Sequence, residues 1–118
     1  MAQHFKDLIV WQKAMDLVTD VYRVTDSFPK REVYSLTDQI RRAAVSVPSN
    51  IAEGQGRLTT GEFRHFLGIA RGSNCELQTQ LEIARTLGFG DRTRIDEAEA
   101  CSHEVSKMIS AILEATKN

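Results

Sequence analysis

Apolar residues recur along this chain at alternating spacings of four and three, the pattern of helices that each bury one face. Val10, Ala14, Leu17, Val21 and Val24 form the first row, with Trp11, Val18 and Tyr22 in a second row beside it, and predict a helix over 10–25 with a broad apolar face. Phe28-Pro29 ends it, because the residue before a proline is pushed out of the α region. Val33, Leu36, Ile40, Ala43 or Ala44, Val47 and Ile51 predict a second helix over 30–54. Pro48 inside it predicts a kink or break near Val47, since an interior proline removes a backbone hydrogen bond at roughly 3 kcal/mol. Phe63, Leu67, Ala70, Asn74, Leu77, Leu81 and Ala84 form the third row, behind a cap in which Glu62 follows Thr59 by three residues. Leu87-Gly88-Phe89-Gly90-Asp91 supplies a glycine stop and an aspartate cap for a last helix over 93–116, with Ile95, Ala98, Ser102, Val105, Ile109 and Ile112 on one face. Sustained period-two alternation is absent. The pattern predicts an all-α protein, an antiparallel up-down-up-down four-helix bundle with helix two kinked near Pro48, in a single domain over 1–118.

Composition narrows the function. The 118 residues are about half what a typical barrel or doubly wound enzyme uses, which excludes a large two-domain enzyme and would confine any active site to a few elements. Fifteen Lys plus Arg against 16 Asp plus Glu, a net charge of -1, argue against a wholesale electrostatic nucleic-acid binder. The neutral sum averages unlike parts: residues 30–57 hold five basic and three acidic side chains, residues 91–118 four and six. Two cysteines and no apolar leader after Met1-Ala2-Gln3-His4-Phe5-Lys6 lead us to expect a reducing, cytoplasmic setting. No apolar run is long enough to span a membrane.

Catalytic and metal motifs are sparse. A di-metal bundle needs two Glu-x-x-His pairs and two further inward glutamates, whereas only Glu62 to His65 has the spacing and His103 follows Ala100 by three residues. Cys75 and Cys101 are two ligands of an incomplete site or, more simply, small hydrophobes in helices. Gly56 and Gly61 have phosphate-loop spacing, but Glu62-Phe63 stands where Lys and a hydroxyl residue belong. We expect no enzyme, no cofactor and no metal.

The informative residues are those that break the pattern. Gly68 and Gly72 lie four apart in helix three at around 1 kcal/mol each, which calls for a close helix approach within the bundle or between protomers. Asn74 occupies a core position and needs hydrogen-bond partners, as a register-fixing group or as part of a site. Around the expected kink, Ser49 and Asn50 either recap the broken backbone or, with Glu53 and Asn74, line a polar pocket for a small molecule or peptide. Arg57, Arg64, Arg71 and Arg85 fall at multiples of seven, interrupted at Gln78, and with Arg41 and Arg42 form the candidate surface for RNA, DNA or another partner. The plainer reading pairs these flank arginines with carboxylates of a neighbouring helix or protomer.

Leu8 to Ala14, Tyr34 to Ala44, Val47 to Arg57, Phe66 to Ser73 and Glu76 to Leu81 together resemble the four-helix-bundle family of 23S ribosomal RNA intervening-sequence proteins, with Pro48-Ser49-Asn50-Ile51-Ala52-Glu53-Gly54 as the specific centre. The resemblance implies a small cytosolic bundle that assembles into homo-oligomeric rings of five. It implies no reaction and transfers no catalytic residues. The expectation is therefore a non-enzymatic, ring-forming binding or scaffold protein that associates with nucleic acid or a nucleoprotein complex, with ligand binding at the helix-two bend as the alternative.

Overall fold

The computed structural model describes residues 4–118. Met1, Ala2 and Gln3, where the expected absence of a leader begins, lie outside the described residues. Four helices, α1 (Ile9–Asp26), α2 (Leu36–Gln55), α3 (Thr60–Leu87) and α4 (Arg92–Thr116), make up most of the described residues. Short 3-10 turns at Phe5–Asp7 and Lys30–Glu32 precede α1 and α2. The helices pack as neighbours in chain order and close between α1 and α4, in a body of 46 × 22 × 21 Å.

The register is antiparallel at every interface. Ser46 and Ser73 share a hydroxyl hydrogen bond of 2.7 Å between α2 and α3, the two helices with the largest interface. Lys13 meets Glu104 at 2.8 Å between α1 and α4, while further along α1 the Arg23 carbonyl accepts from Arg94. The predicted rows are the core: Leu17, Val21, Ile40, Val47, Leu67, Leu77, Leu81, Val105 and Ile109 are fully buried. No helix is long and apolar enough to cross a membrane among the described residues.

Two boundaries differ from expectation. Residues 30–35 do not join α2; Val33 and Tyr34 are exposed, Tyr34 at 94%, and the α-helix starts only at Leu36. At Pro48, where a kink or break is expected, α2 is not broken: it continues through the proline to Gln55, with the ring buried. Neighbouring side chains bond to backbone around this point. Ser49 Oγ donates to the Val45 carbonyl at 2.8 Å and Asn50 Nδ2 to the Ser46 carbonyl at 2.8 Å.

The chain reverses between α3 and α4 through Gly88 and Gly90, the two glycines in the left-handed region, at φ 75° and 77°. The Gly88 and Phe89 amides close α3 by donating to Arg85 and Ala84, and Asp91 caps α4 by accepting from the Arg94 amide at 3.0 Å. The two glycines differ in surroundings. A Cβ at Gly88 meets open space, whereas one at Gly90 lies 2.8 Å from the Phe28 ring, which packs on Phe89 at 5.9 Å between centroids. Gly88→Ala should therefore cost only the left-handed penalty, about 1 kcal/mol, and Gly90→Ala about twice that because the Phe28 ring must also move. Urea denaturation of both variants checks the difference; equal losses would contradict it.

Candidate functional site

The arginines do not form one stripe. Arg57 lies in the turn before α3, where it pairs with Glu53 at 3.0 Å and Glu62 at 3.8 Å and sits over the Phe66 ring at 4.7 Å. Arg64, on α3, bonds through Nη1 to the Leu113 carbonyl and to Thr116 Oγ1 at the end of α4, where a cation meets the negative end of the helix dipole. Arg85 is bracketed by Glu99, by Asp96 at 2.7 Å and by Glu82 at 3.5 Å. Gln78, which interrupts the heptad spacing, bonds Ser102 Oγ on α4 at 2.8 Å. Arg64, Gln78 and Arg85 thus lie on the α3–α4 seam, and of the four arginines Arg85 alone meets carboxylates of α4 among the described residues. Arg71 is the exception, exposed and with no partner among the described residues.

Arg41 and Arg42 lie elsewhere, on α2 facing the end of α1. Arg41 Nε donates to Thr25 Oγ1 at 2.8 Å while its guanidinium lies 4.5 Å over the Tyr22 ring, a cation–π contact. Arg42 Nε donates to Asp38 at 2.8 Å, one turn back. Between them and Tyr34 runs a cleft of about 660 Å³ whose floor includes Thr37 and Val45. Sequence reasoning missed Tyr34 because the periodicity drew residue 33, and with it this segment, into a helix, and it read Tyr22 only as part of the second apolar row of α1.

The residues assigned to a pocket at the helix bend are not brought together as one. Ser49 and Asn50 bond back along α2, and Asn50 also donates to Ser46 Oγ at 3.0 Å. Glu53 is paired with Arg57. Asn74 turns instead to α4, fully buried, where Nδ2 donates to the Ser102 carbonyl at 2.9 Å and Ser106 Oγ at 2.7 Å, and Oδ1 accepts from Ser102 Oγ at 2.6 Å. This is the register-fixing alternative: every hydrogen-bonding end of the amide is used inside the bundle. The bonds of Asn74 thus run to α4, whereas those of Ser49 and Asn50 run back along α2 and Glu53 pairs with Arg57 in the turn before α3.

Glycines 68 and 72 also part from the within-bundle alternative. A Cβ at either meets nothing within 4 Å, so neither permits close approach inside this chain. The glycine that does so is Gly54, where a Cβ would lie 3.0 Å from Phe66 Cβ and 3.1 Å from the Phe63 carbonyl. Gly68 and Gly72 instead lie on an exposed face of α3 that continues through Cys75, Thr79 and Ile83 to Leu87, a shallow apolar cleft of about 620 Å³ at its second half.

Titratable groups offer little chemistry. Cys101 is buried against α1, its thiol 3.6 Å from the Lys13 carbonyl, and burial first, then Asp20, pushes its pKa up to about 11, so it carries negligible thiolate at neutral pH. Asp20 in the same α1–α4 groove is raised by partial burial, while hydrogen bonding between Lys13 and Glu104 raises the lysine and lowers the glutamate. No group of three or more His, Cys, Asp or Glu is placed to hold a metal among the described residues.

None of the proteins of curated function matches the chain. Among solved structures, a protein with unknown function from the S23 ribosomal protein family of Bacteroides thetaiotaomicron VPI-5482 superimposes with a TM-score of 0.82 at 20% identity, over 89% of this chain and 98% of that one. At that identity the likeness establishes the shared four-helix fold. The sequence model of the family described as 23S rRNA-intervening sequence protein matches residues 6–111. That match runs from the turn before α1 to near the end of α4, and the chain belongs to the 23S rRNA-intervening sequence protein family.

Proposed function

We propose that this chain is a non-enzymatic, cytoplasmic scaffold protein that assembles with copies of itself into a ring through the exposed face of α3, and that the assembly contacts nucleic acid or a nucleoprotein complex. The observation that carries the reading is the placement of Gly68 and Gly72. Each costs the isolated helix about 1 kcal/mol relative to alanine, and among the described residues no atom lies within 4 Å of where a Cβ would stand. A helix of a neighbouring protomer seated over the bare backbone offsets that cost. Ile69, Ile83 and Leu87, exposed on the same helix, add apolar area to such a contact, as does Met15 on the outside of α1. Arg71, flanking the glycines with its charge unspent, and Arg42, with its side chain 78% exposed, supply the cations for a phosphate backbone. In a closed ring each such group is repeated around the axis, so the near-neutral charge of one chain understates the local field.

Gly68→Ala with Gly72→Ala separates assembly from folding because it moves them in opposite directions. The double variant should gain up to about 2 kcal/mol of intrinsic helix stability. Light scattering on a sizing column should show its assembly weakened or lost. A wild-type chain that elutes as a monomer overturns the scaffold reading. An electrophoretic titration against RNA and DNA at two salt concentrations tests the partner: retention should fall steeply with salt, because phosphate contacts release counterions, and Arg71→Glu should reduce it. Absence of salt-sensitive retention removes nucleic acid from the proposal.

A further inference from the structure

We propose that the cleft between the end of α1 and the start of α2 seats one nucleotide unit, a base beside a phosphate, with the base stacked on Tyr34 and the phosphate held by Arg41 and Arg42. The inference rests on the nucleic-acid reading above and places it at a specific site. The cleft, at about 660 Å³, has the size of small-ligand sites. Its two guanidinium groups face a single lining carboxylate, Asp38. Each arginine commits Nε to an intramolecular bond, Arg41 to Thr25 and Arg42 to Asp38, both at 2.8 Å. Those bonds fix the planes of the forks and leave the terminal nitrogens without a partner among the described residues, which is the geometry that recognises phosphate oxygens in pairs.

Charge alone would suit any anion; the aromatic residues narrow the choice. Tyr34 is 94% exposed, held in the turn between the Lys30–Glu32 segment and α2 at the edge of the cleft. Its ring contributes almost nothing to the core, yet it stands beside two cations. Tyr22, also lining the cleft, already carries the Arg41 guanidinium on its face and holds that cation in position. An exposed ring next to fixed guanidinium groups matches a π-faced anion, and stacking on a side chain requires a base that is unpaired. The ligand chemistry is shared by a free nucleotide and by a residue of a single strand.

The full chain is titrated by fluorescence anisotropy with a labelled twelve-nucleotide single-stranded RNA and with its duplex, and by calorimetry with adenosine monophosphate. The single strand should bind more tightly than the duplex. Tyr34→Ala should weaken that binding roughly tenfold, Tyr34→Phe should retain it, and Arg42→Ala should lower the salt slope by about one. Because Tyr34 lies outside the core, its replacement leaves the fold intact, which circular dichroism verifies. Undiminished RNA binding by Tyr34→Ala overturns the site while leaving the nucleic-acid reading standing. Binding of the monophosphate that depends on Tyr34, without RNA retention, supports the site with a free nucleotide as its source. Loss of self-assembly in Tyr34→Ala, seen by light scattering, identifies a second copy of the chain as the occupant and overturns the proposal. Binding of neither probe overturns it as well.

Discussion

Replacing Asn74 with leucine is expected to cost about 3 kcal/mol of folding stability, although the exchange is close in volume and puts an apolar group in a fully buried position. The amide forms three hydrogen bonds to α4: two from Nδ2, to the Ser102 carbonyl and Ser106 Oγ, and one accepted by Oδ1 from Ser102 Oγ. Leucine leaves the Ser102 hydroxyl proton without its acceptor in a fully buried site. The desolvation cost of such an orphan, about 1–3 kcal/mol, exceeds what the added apolar area returns. The partly buried Ser106 can turn toward solvent and loses less. Combining Asn74→Leu with Ser102→Ala removes both ends of the central bond but also the acceptor of Gln78 Nε2, so it should recover about half of the loss; with about 1 kcal/mol lost in Ser102→Ala alone, the cycle reads a coupling of the order of 2–3 kcal/mol. Denaturant titration of the two single variants and the double variant measures it. Additive losses would mean that the network does not act as a unit.

That network also shows how far the linear pattern carries. Rows of apolar residues at spacings of three and four mark the four helices, the buried faces and the caps at Thr59 and Asp91, because each depends on residues within one or two turns. Asn74 is conspicuous in the sequence as a polar residue in a core row, but its partners lie 28 and 32 residues away. Spacing within one helix does not distinguish a bond to α4 from a place at the α2 bend. The arginines pose the same problem in reverse. Their seven-residue repeat locates a seam, and seam positions suit both an ion pair with the next helix and an outward-facing surface. Arg85 finds Asp96 and Glu99 on α4 and Glu82 on its own helix, and Arg64 finds the end of α4, whereas Arg71 finds no partner among the described residues. At α2 the periodic pattern overreached: Val33 has the right spacing for a helix but sits in a turn and is nearly half exposed. Pro48 pointed to a kink or a break on propensity alone, and α2 runs through it unbroken with the ring buried.

Gly54→Val should be the more damaging change, at about 3 kcal/mol or above, and the contrast with Gly68 and Gly72 is the sharper test of what glycine does in this bundle. At position 54 an ideal Cβ already lies 3.0 Å from Phe66 Cβ, 3.1 Å from the Phe63 carbonyl and 3.3 Å from the Phe63 ring. Two of the three atoms belong to the α3 scaffold itself, the Phe66 Cβ and a backbone carbonyl, and cannot yield by a side-chain rotation. A β-branched residue adds two methyl groups to that contact and must drive α2 and α3 apart beside the turn that joins them. Alanine sets the two opposing effects against each other. It gains about 1 kcal/mol of helix propensity at any of the three positions, but at Gly54 the contact strain outweighs the gain and the net change is a loss. At Gly68 and Gly72, with nothing within 4 Å, the gain stands alone in the isolated chain. Thermal melts of Gly54→Ala and Gly68→Ala under conditions where the protein is monomeric should therefore shift in opposite directions. If both shift upward, α2 and α3 accommodate the methyl group and Gly54 is not what sets their separation. If both shift downward, Gly68 has an intrachain role, and the case for a neighbouring protomer over α3 loses its main support.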